Sequence, residues 1–237
     1  MQSDDSKNKY AIHEACREGQ TSRVESLLSA NPKLSSLRDE DDRLPIHWAV
    51  SYNRLPIVQN LIQAKNFDVD VQDGSGWTPL MMACSRKEAE HIVELLLRKD
   101  ADVNMKNNNG QTALHFATSK INLDIARTLI AHKASARIKD KRGQLALHRA
   151  AAVGSVPMLK ILLDAKSPLD ATDIDGMTAL HHAVCEGHGD AALLLLTAGA
   201  DFDKKDGEGR LPLDLVPDAK TKKYILQAAE REGIDLE

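Results

Sequence analysis

The chain has 237 residues, 31 basic and 35 acidic, for a formal net charge of −4 at pH 7. That balance argues against generic binding to nucleic acid or an anionic membrane, which want a basic surface, and an aromatic content of 3% leaves little for a base-stacking platform. The three cysteines, Cys16, Cys84 and Cys185, are too sparse and odd in number for a disulfide framework and point to a reduced chain, expected in cytoplasm and nucleus.

The opening stretch, "MQSDDSKNKYAIHEACREG", is polar and offers no apolar leader. The longest apolar run, "ALLLL", is far shorter than the ~20 residues that span a bilayer. A soluble protein with no membrane partner is expected.

In chain order the same short phrase returns: "AIHEAC", "PIHWAV", "PLMMAC", "ALHFAT", "ALHRAA", "ALHHAV" and "PLDLV". Its third residue is His13, His47, Met81, His115, His148, His181 and then Asp214, at intervals of 33 or 34. Five residues before this slot stand Gly76, Gly110, Gly143, Gly176 and Gly209, suited to the positive φ of a tight hairpin turn, with Asp42 in their place once. A short helix is predicted from the slot onward. It ends at Gly19, Asn53, Gly154 or Gly187, while Lys87 and Ile121 depart from that pattern. A second helix follows, rich in Leu, Ile and Val, with Pro56 and Pro157 in the first turn of two of them.

The period and the T-P-L-H-x-A phrase resemble the ankyrin repeat. The implied fold is all-α: seven helix-turn-helix units with β-hairpin tips, capped by the terminal units. Their bounds are approximately 6–38, 39–72, 73–106, 107–139, 140–172, 173–205 and 206–237, in a single domain spanning 1–237. No unit buries its own apolar face, but stacked neighbours can. In this family the slot His and a Thr three residues earlier hydrogen-bond the turn and the next loop. Both are present only at Thr112/His115 and Thr178/His181, so uneven networks are expected.

"HHAVCEGH" gathers His181, His182, Cys185, Glu186 and His188, which are metal ligands by type. His181 is already a slot residue, His188 lies past the expected helix end, and no C-x-x-C or H-x-x-x-H spacing supports a zinc site. No cofactor is expected. Neither a phosphate loop nor a G-x-S-x-G elbow is present, and acidic pairs such as Asp41/Asp42 and Asp173/Asp175 read as solvated tip charge, so no enzyme is expected. Cys16 and Cys84 recur two units apart, beyond disulfide reach, and read as core fillers.

A solenoid's concave side is the expected binding surface. One residue past the slot run Glu14, Trp48, Met82, Phe116, Arg149 and His182. Trp48, Met82 and Phe116 either fill the space between units or form an apolar stripe; Arg149 leans towards contact. Five past the slot run Glu18, Tyr52, Arg86, Lys120, Val153 and Glu186. At the tips, Trp77 either lies on its neighbour or meets a partner, since Trp and Arg are enriched at binding hot spots. Charge runs from an acidic first tip through Arg86, Lys120 and Arg149 to Asp173, Asp175 and Glu186, which suits a partner of opposite order.

"DEDDRLPIHWAVS", "DGSGWTPL", "KDKRGQLALHRAAAVGS" and "EGHGDAALLLL" resemble the gankyrin family, the last leaning towards its fungal branch. That resemblance implies an assembly chaperone of the proteasome regulatory particle, a monomer when free, that grips the C-terminal domain of a base ATPase subunit and hinders premature docking on the core particle. The alternative is a general ankyrin adaptor with an unrelated protein partner. The family's charged contacts fall on Asp41, Arg43 and Lys120, and its tip Trp on Trp77. A further acidic position falls at Gly74, beside Asp73. The family's L-x-C-x-E segment corresponds to Ala183–Gly187 and lacks both its Leu and its final Glu. The expected contact set is therefore Asp41, Arg43, Trp48, Tyr52, Asp73, Trp77, Arg86, Lys120, Arg149, Asp175, His182 and Glu186.

Overall fold

The computed structural model describes residues 9–65 and 67–236. The polar start expected to lack a leader lies outside them up to residue 8. The described residues form two compact units, one ending at Asn108 and the other beginning at Asn109. Among the described residues no helix is long and apolar enough to cross a membrane.

The first unit holds three helix pairs: α1 (Ala11–Glu18) with α2 (Thr21–Ala30), α3 (Pro45–Ser51) with α4 (Leu55–Leu61), and α5 (Pro79–Cys84) with α6 (Glu90–Leu97). The inner helices α1, α3 and α5 pack side by side, and α2, α4 and α6 form a second layer behind them. The second unit repeats the scheme. Its inner layer is α7 (Ala113–Ser119), α9 (Ala146–Ala152), α11 (Ala179–Cys185) and a short 3-10 turn, Pro212–Leu215; its outer layer is α8 (Leu123–Ala131), α10 (Val156–Asp164), α12 (Gly189–Thr197) and α13 (Ala219–Arg231).

Helical spacing sorts the apolar residues. In α6, Ile92, Val93, Leu96 and Leu97 share the buried stripe, and in α12 the run "ALLLL" is split so that Leu195 and Leu196 are buried while Leu193 and Leu194 are half-buried. Each buried Leu or Ile is worth ~1.5–3 kcal/mol relative to exposure. Cys16 and Cys84 are buried and unbonded, and burial pushes the Cys16 thiol up to about 12. Both are core fillers, as expected.

The connections follow their sequence signals. Asp42 takes φ 59 and Asn53 φ 54, as the sequence allows. In the third pair the left-handed residue after the inner helix is Glu88, one position beyond Lys87, which departs from the pattern as the sequence indicates. The hairpin tips are turns closed by two backbone bonds each, for example Asp73 N–H to Trp77 O at 3.0 Å with Gly76 N–H to Asp73 O at 2.9 Å, and Asp173 N–H to Met177 O at 3.0 Å with Gly176 N–H to Asp173 O at 3.1 Å. No strand is assigned among the described residues.

Four of the five slot histidines are more uniform than the uneven Thr pattern predicts; His13, whose Nδ1 has no partner, is the exception. Backbone N–H groups of Leu44, Thr112, Leu145 and Thr178 donate to the Nδ1 of His47, His115, His148 and His181 at 2.9–3.1 Å. Their Nε2–H groups donate onward to Val71, Gln144, Ala171 and Arg210 carbonyls. An N–H can only donate and a carbonyl can only accept, so all four rings are neutral and in one tautomer. The Thr hydroxyl adds to this arrangement at Thr112 and Thr178 but is not required for it. In the last repeat the Asp214 carboxylate accepts the Leu211 N–H at 2.8 Å, and a carboxylate has no proton to pass onward, which suits a terminal cap.

Candidate protein-binding face

Eight residues before each slot from His47 onward stand Asp39, Asp73, Asn107, Asp140, Asp173 and Asp206. In every Asp of this row, Oδ1 accepts the backbone N–H groups two and four residues on. One oxygen therefore shapes the turn and the other, Oδ2, is left to recruit a side chain. In the first unit, Asp39 Oδ2 takes the Trp48 indole N–H at 2.7 Å and Asp73 Oδ2 takes Arg43 Nε at 3.4 Å. In the second, Asp140 Oδ2 takes Arg149 at 2.7 Å and Asp173 Oδ2 takes His182 at 2.8 Å.

Several expected contact residues change role as a result. The Asp73 side chain is only 3% exposed and faces its own loop and Arg43, so it holds the tip rather than presenting charge outward. Asp173 is not solvated tip charge: its side chain is 1% exposed. Arg149 and His182 are half-buried and turned onto these carboxylates. Burial works to raise the Asp140 and Asp173 pKa values. The hydrogen bonds from Arg149 and from His182, with those from the turn N–H groups, outweigh it and hold both below the ordinary carboxylate value.

Of the other expected residues, Arg43 and Trp48 are likewise bonded to tip carboxylates. Asp41, Tyr52, Arg86, Lys120, Asp175 and Glu186 are exposed, while Arg43, Trp48 and Trp77 are half-buried. Met82 is buried and accepts the Ser51 hydroxyl on its sulfur at 3.3 Å, so it is packing; Phe116 is half-buried. The first unit gathers the outward residues best. Trp48 stacks on Tyr52 with centroids 6.1 Å apart, and the Arg43 guanidinium lies 5.4 Å above the indole.

Two grooves flank α3 in this unit. A groove of about 370 Å³ is lined by Tyr10, His13, Glu14, Arg17, Asp39, Glu40, Asp41 and Trp48, so carboxylates predominate. The other, about 320 Å³, is lined by Arg43, Ser51, Asp73, Ser75, Trp77, Met82, Ser85 and Arg86; Arg43 pairs with Asp73 and Arg86 is exposed, so two cations stand against one carboxylate and the groove is net positive. The expected contact set left out Tyr10, Glu14, Arg17 and Glu40, although Glu14 stands in the row that holds Trp48. Gly74 N–H bonds Asp41 O at 2.9 Å, and a Cβ there would stand 3.0 Å from that oxygen, which crowds any acidic side chain at the family position.

The residues of "HHAVCEGH" disperse. His181 bonds the Arg210 carbonyl, His182 bonds Asp173, His188 bonds the Ala152 carbonyl at 3.1 Å, and Cys185 and Glu186 are exposed.

The family described as ankyrin repeats (three copies) matches residues 1–73, 46–140 and 122–206. A stretch of 45 residues is 40% identical to the "Probable 26S proteasome regulatory subunit p28" of Saccharomyces cerevisiae; it is 19% of this chain and 20% of that protein, so the match spans about a fifth of the relative. Among solved structures, the ankyrin repeat domain of Bcl-3, a member of the IkappaB protein family, is similar with a TM-score of 0.73 over 91% of this chain and 97% of its own, at 23% identity, a likeness of fold alone.

Proposed function

This chain belongs to the ankyrin-repeat family, a protein-interaction scaffold that is typically non-enzymatic, and we propose that it is an assembly chaperone of the proteasome regulatory particle. Its partner is the C-terminal domain of one base ATPase subunit, and its bound state hinders that subunit from docking prematurely on the core particle.

The observation that carries the reading is the pair of oppositely charged grooves on either side of α3. A surface that is acidic on one side of an aromatic platform and basic on the other fits a folded domain with the reverse order, and such complementarity favours specificity and encounter rate. Asp41, Arg43, Trp48, Tyr52, Trp77 and Arg86 form this part of the contact. Lys120, Asp175 and Glu186 add contacts in the second unit. The local similarity to a proteasome regulatory subunit supports the choice of partner.

The test is capture of purified C-terminal domains of each base ATPase by this protein. Selective retention of one domain, and slower joining of the regulatory particle to the core in its presence, are expected. Equal retention of all domains, or of none, overturns the reading.

A further inference from the structure

The end of α7 departs from its equivalents in the same unit. The residue six past the slot takes a left-handed backbone in each repeat here: Ile121 at φ 55, Gly154 at φ 65 and Gly187 at φ 74. The turn is well formed, with Ile121 N–H on Thr118 O and Asn122 N–H on Ala117 O, both at 2.9 Å. A left-handed L-residue crowds its Cβ against a carbonyl, and a β-branched one is a genuine outlier. Among the described non-glycine residues with positive φ, Ile121 alone is β-branched.

Gly154 is forced, because a Cβ there would stand 2.6 Å from the His188 ring, but Ile121 is 47% exposed and leaves about half of a large aliphatic side chain in water. One turn earlier, the buried Thr118 hydroxyl has no hydrogen-bond partner. The helix end thus carries strain, an orphaned polar group and exposed apolar surface within four residues. Such departures gather where a site is held ready for something outside the fold. The exposed cation Lys120 sits beside Ile121, and the same loop of the next repeat exposes another aliphatic residue, Val153.

We propose that Ile121 is a contact residue for the protein partner, seating an aliphatic side chain whose neighbouring carboxylate is taken by Lys120. The assignment rests on the scaffold reading above and extends it to a residue that reading did not use. An acidic flank is required by the charge of Lys120, and an aliphatic centre by the exposed Ile121 side chain.

Ile121→Asn and Ile121→Gly separate contact from packing, because both relieve the left-handed strain. Melting temperature is expected to rise by ~2–4 °C, while binding to the selected ATPase C-terminal domain weakens by about tenfold or more. Ile121→Val keeps an aliphatic side chain and should bind within about twofold of the parent. Unchanged binding in Ile121→Asn overturns this inference and leaves the partner standing. A lowered melting temperature with lost binding also overturns it, since Ile121 would then be packing. If the parent chain retains none of the domains, both the partner and this contact fall together.

Discussion

Arg149 donates to Oδ2 of Asp140 across 2.7 Å, a link between residues nine apart that recurs from His182 to Asp173 and from Trp48 to Asp39. Three chemically different side chains thus do the same work. Each ties a tip to the inner helix that follows it, using the oxygen that the turn leaves over.

Removing Arg149 leaves a buried carboxylate oxygen unpaired, because the Asp140 side chain is 2% exposed. Arg149→Met is expected to lower stability by about 2 kcal/mol. Asp140→Asn keeps an amide Oδ1 able to accept the turn N–H groups, and Asn107 stands in the same row, so the double variant should be better than additive by ~1 kcal/mol or more. Urea titrations of the four proteins measure this. Strict additivity would show that the pair is not coupled.

Acid should loosen the protein in two stages. Burial lowers the His47, His148 and His181 pKa values, that of His148 to about 4, with His182 adding to the effect. Protonating Nδ1 would also break the bond from the backbone N–H. The unfolded chain titrates near 6.5 and so binds more protons than the folded one below that pH, and stability falls as pH drops from ~6.5 towards 4. His148 alone accounts for up to about 3 kcal/mol. The tip carboxylates, held low, add their loss only below their ordinary value near 4. Urea midpoints between pH 7.5 and 4.5 should decline, and His148→Gln should be less stable at pH 7.5 but flatter. A flat profile in the parent chain would contradict the fixed neutral rings.

Trp77→Ala tests the basic groove. The indole is half-buried and shares that groove with Arg43 and Arg86. Binding to the partner domain should weaken by ~2 kcal/mol or more, the hot-spot scale, with melting changed by only a few degrees. Calorimetric titration beside thermal unfolding separates the two effects; a steep fall in melting temperature with intact affinity would make Trp77 a packing residue.

The repeat, the turn glycines and the slot histidines were legible in the sequence because each is a local requirement recurring at fixed intervals. The roles of Arg149 and His182 were not, since their partners lie nine residues back across a turn, and a helical wheel relates only residues on one helix. The row from Asp39 to Asp206 has the same period as the slot and was equally visible. Its meaning depends on which carboxylate oxygen the turn consumes, and that is geometry rather than pattern. The acidic groove was hidden for a related reason: Glu14, Glu40 and Asp41 converge only once α1 is set against the following tip.

Gly154 and Ile121 occupy equivalent positions and should respond oppositely to substitution. Gly154 combines φ 65 with a neighbouring imidazole that a Cβ would meet at 2.6 Å. His188 cannot simply swing away, because its Nε2–H bonds the Ala152 carbonyl at 3.1 Å and its backbone N–H bonds Ala183 O at 2.8 Å. Gly154→Ala therefore adds backbone strain to a steric clash, an expected loss of about 2 kcal/mol or more in urea unfolding. Ile121→Gly should instead gain ~1 kcal/mol, because the strained side chain is removed from an exposed site. Opposite signs at the two positions would show that the fold asks for glycine at both and that Ile121 persists against that demand. A loss at both would show that Ile121 has packing value that its exposure conceals.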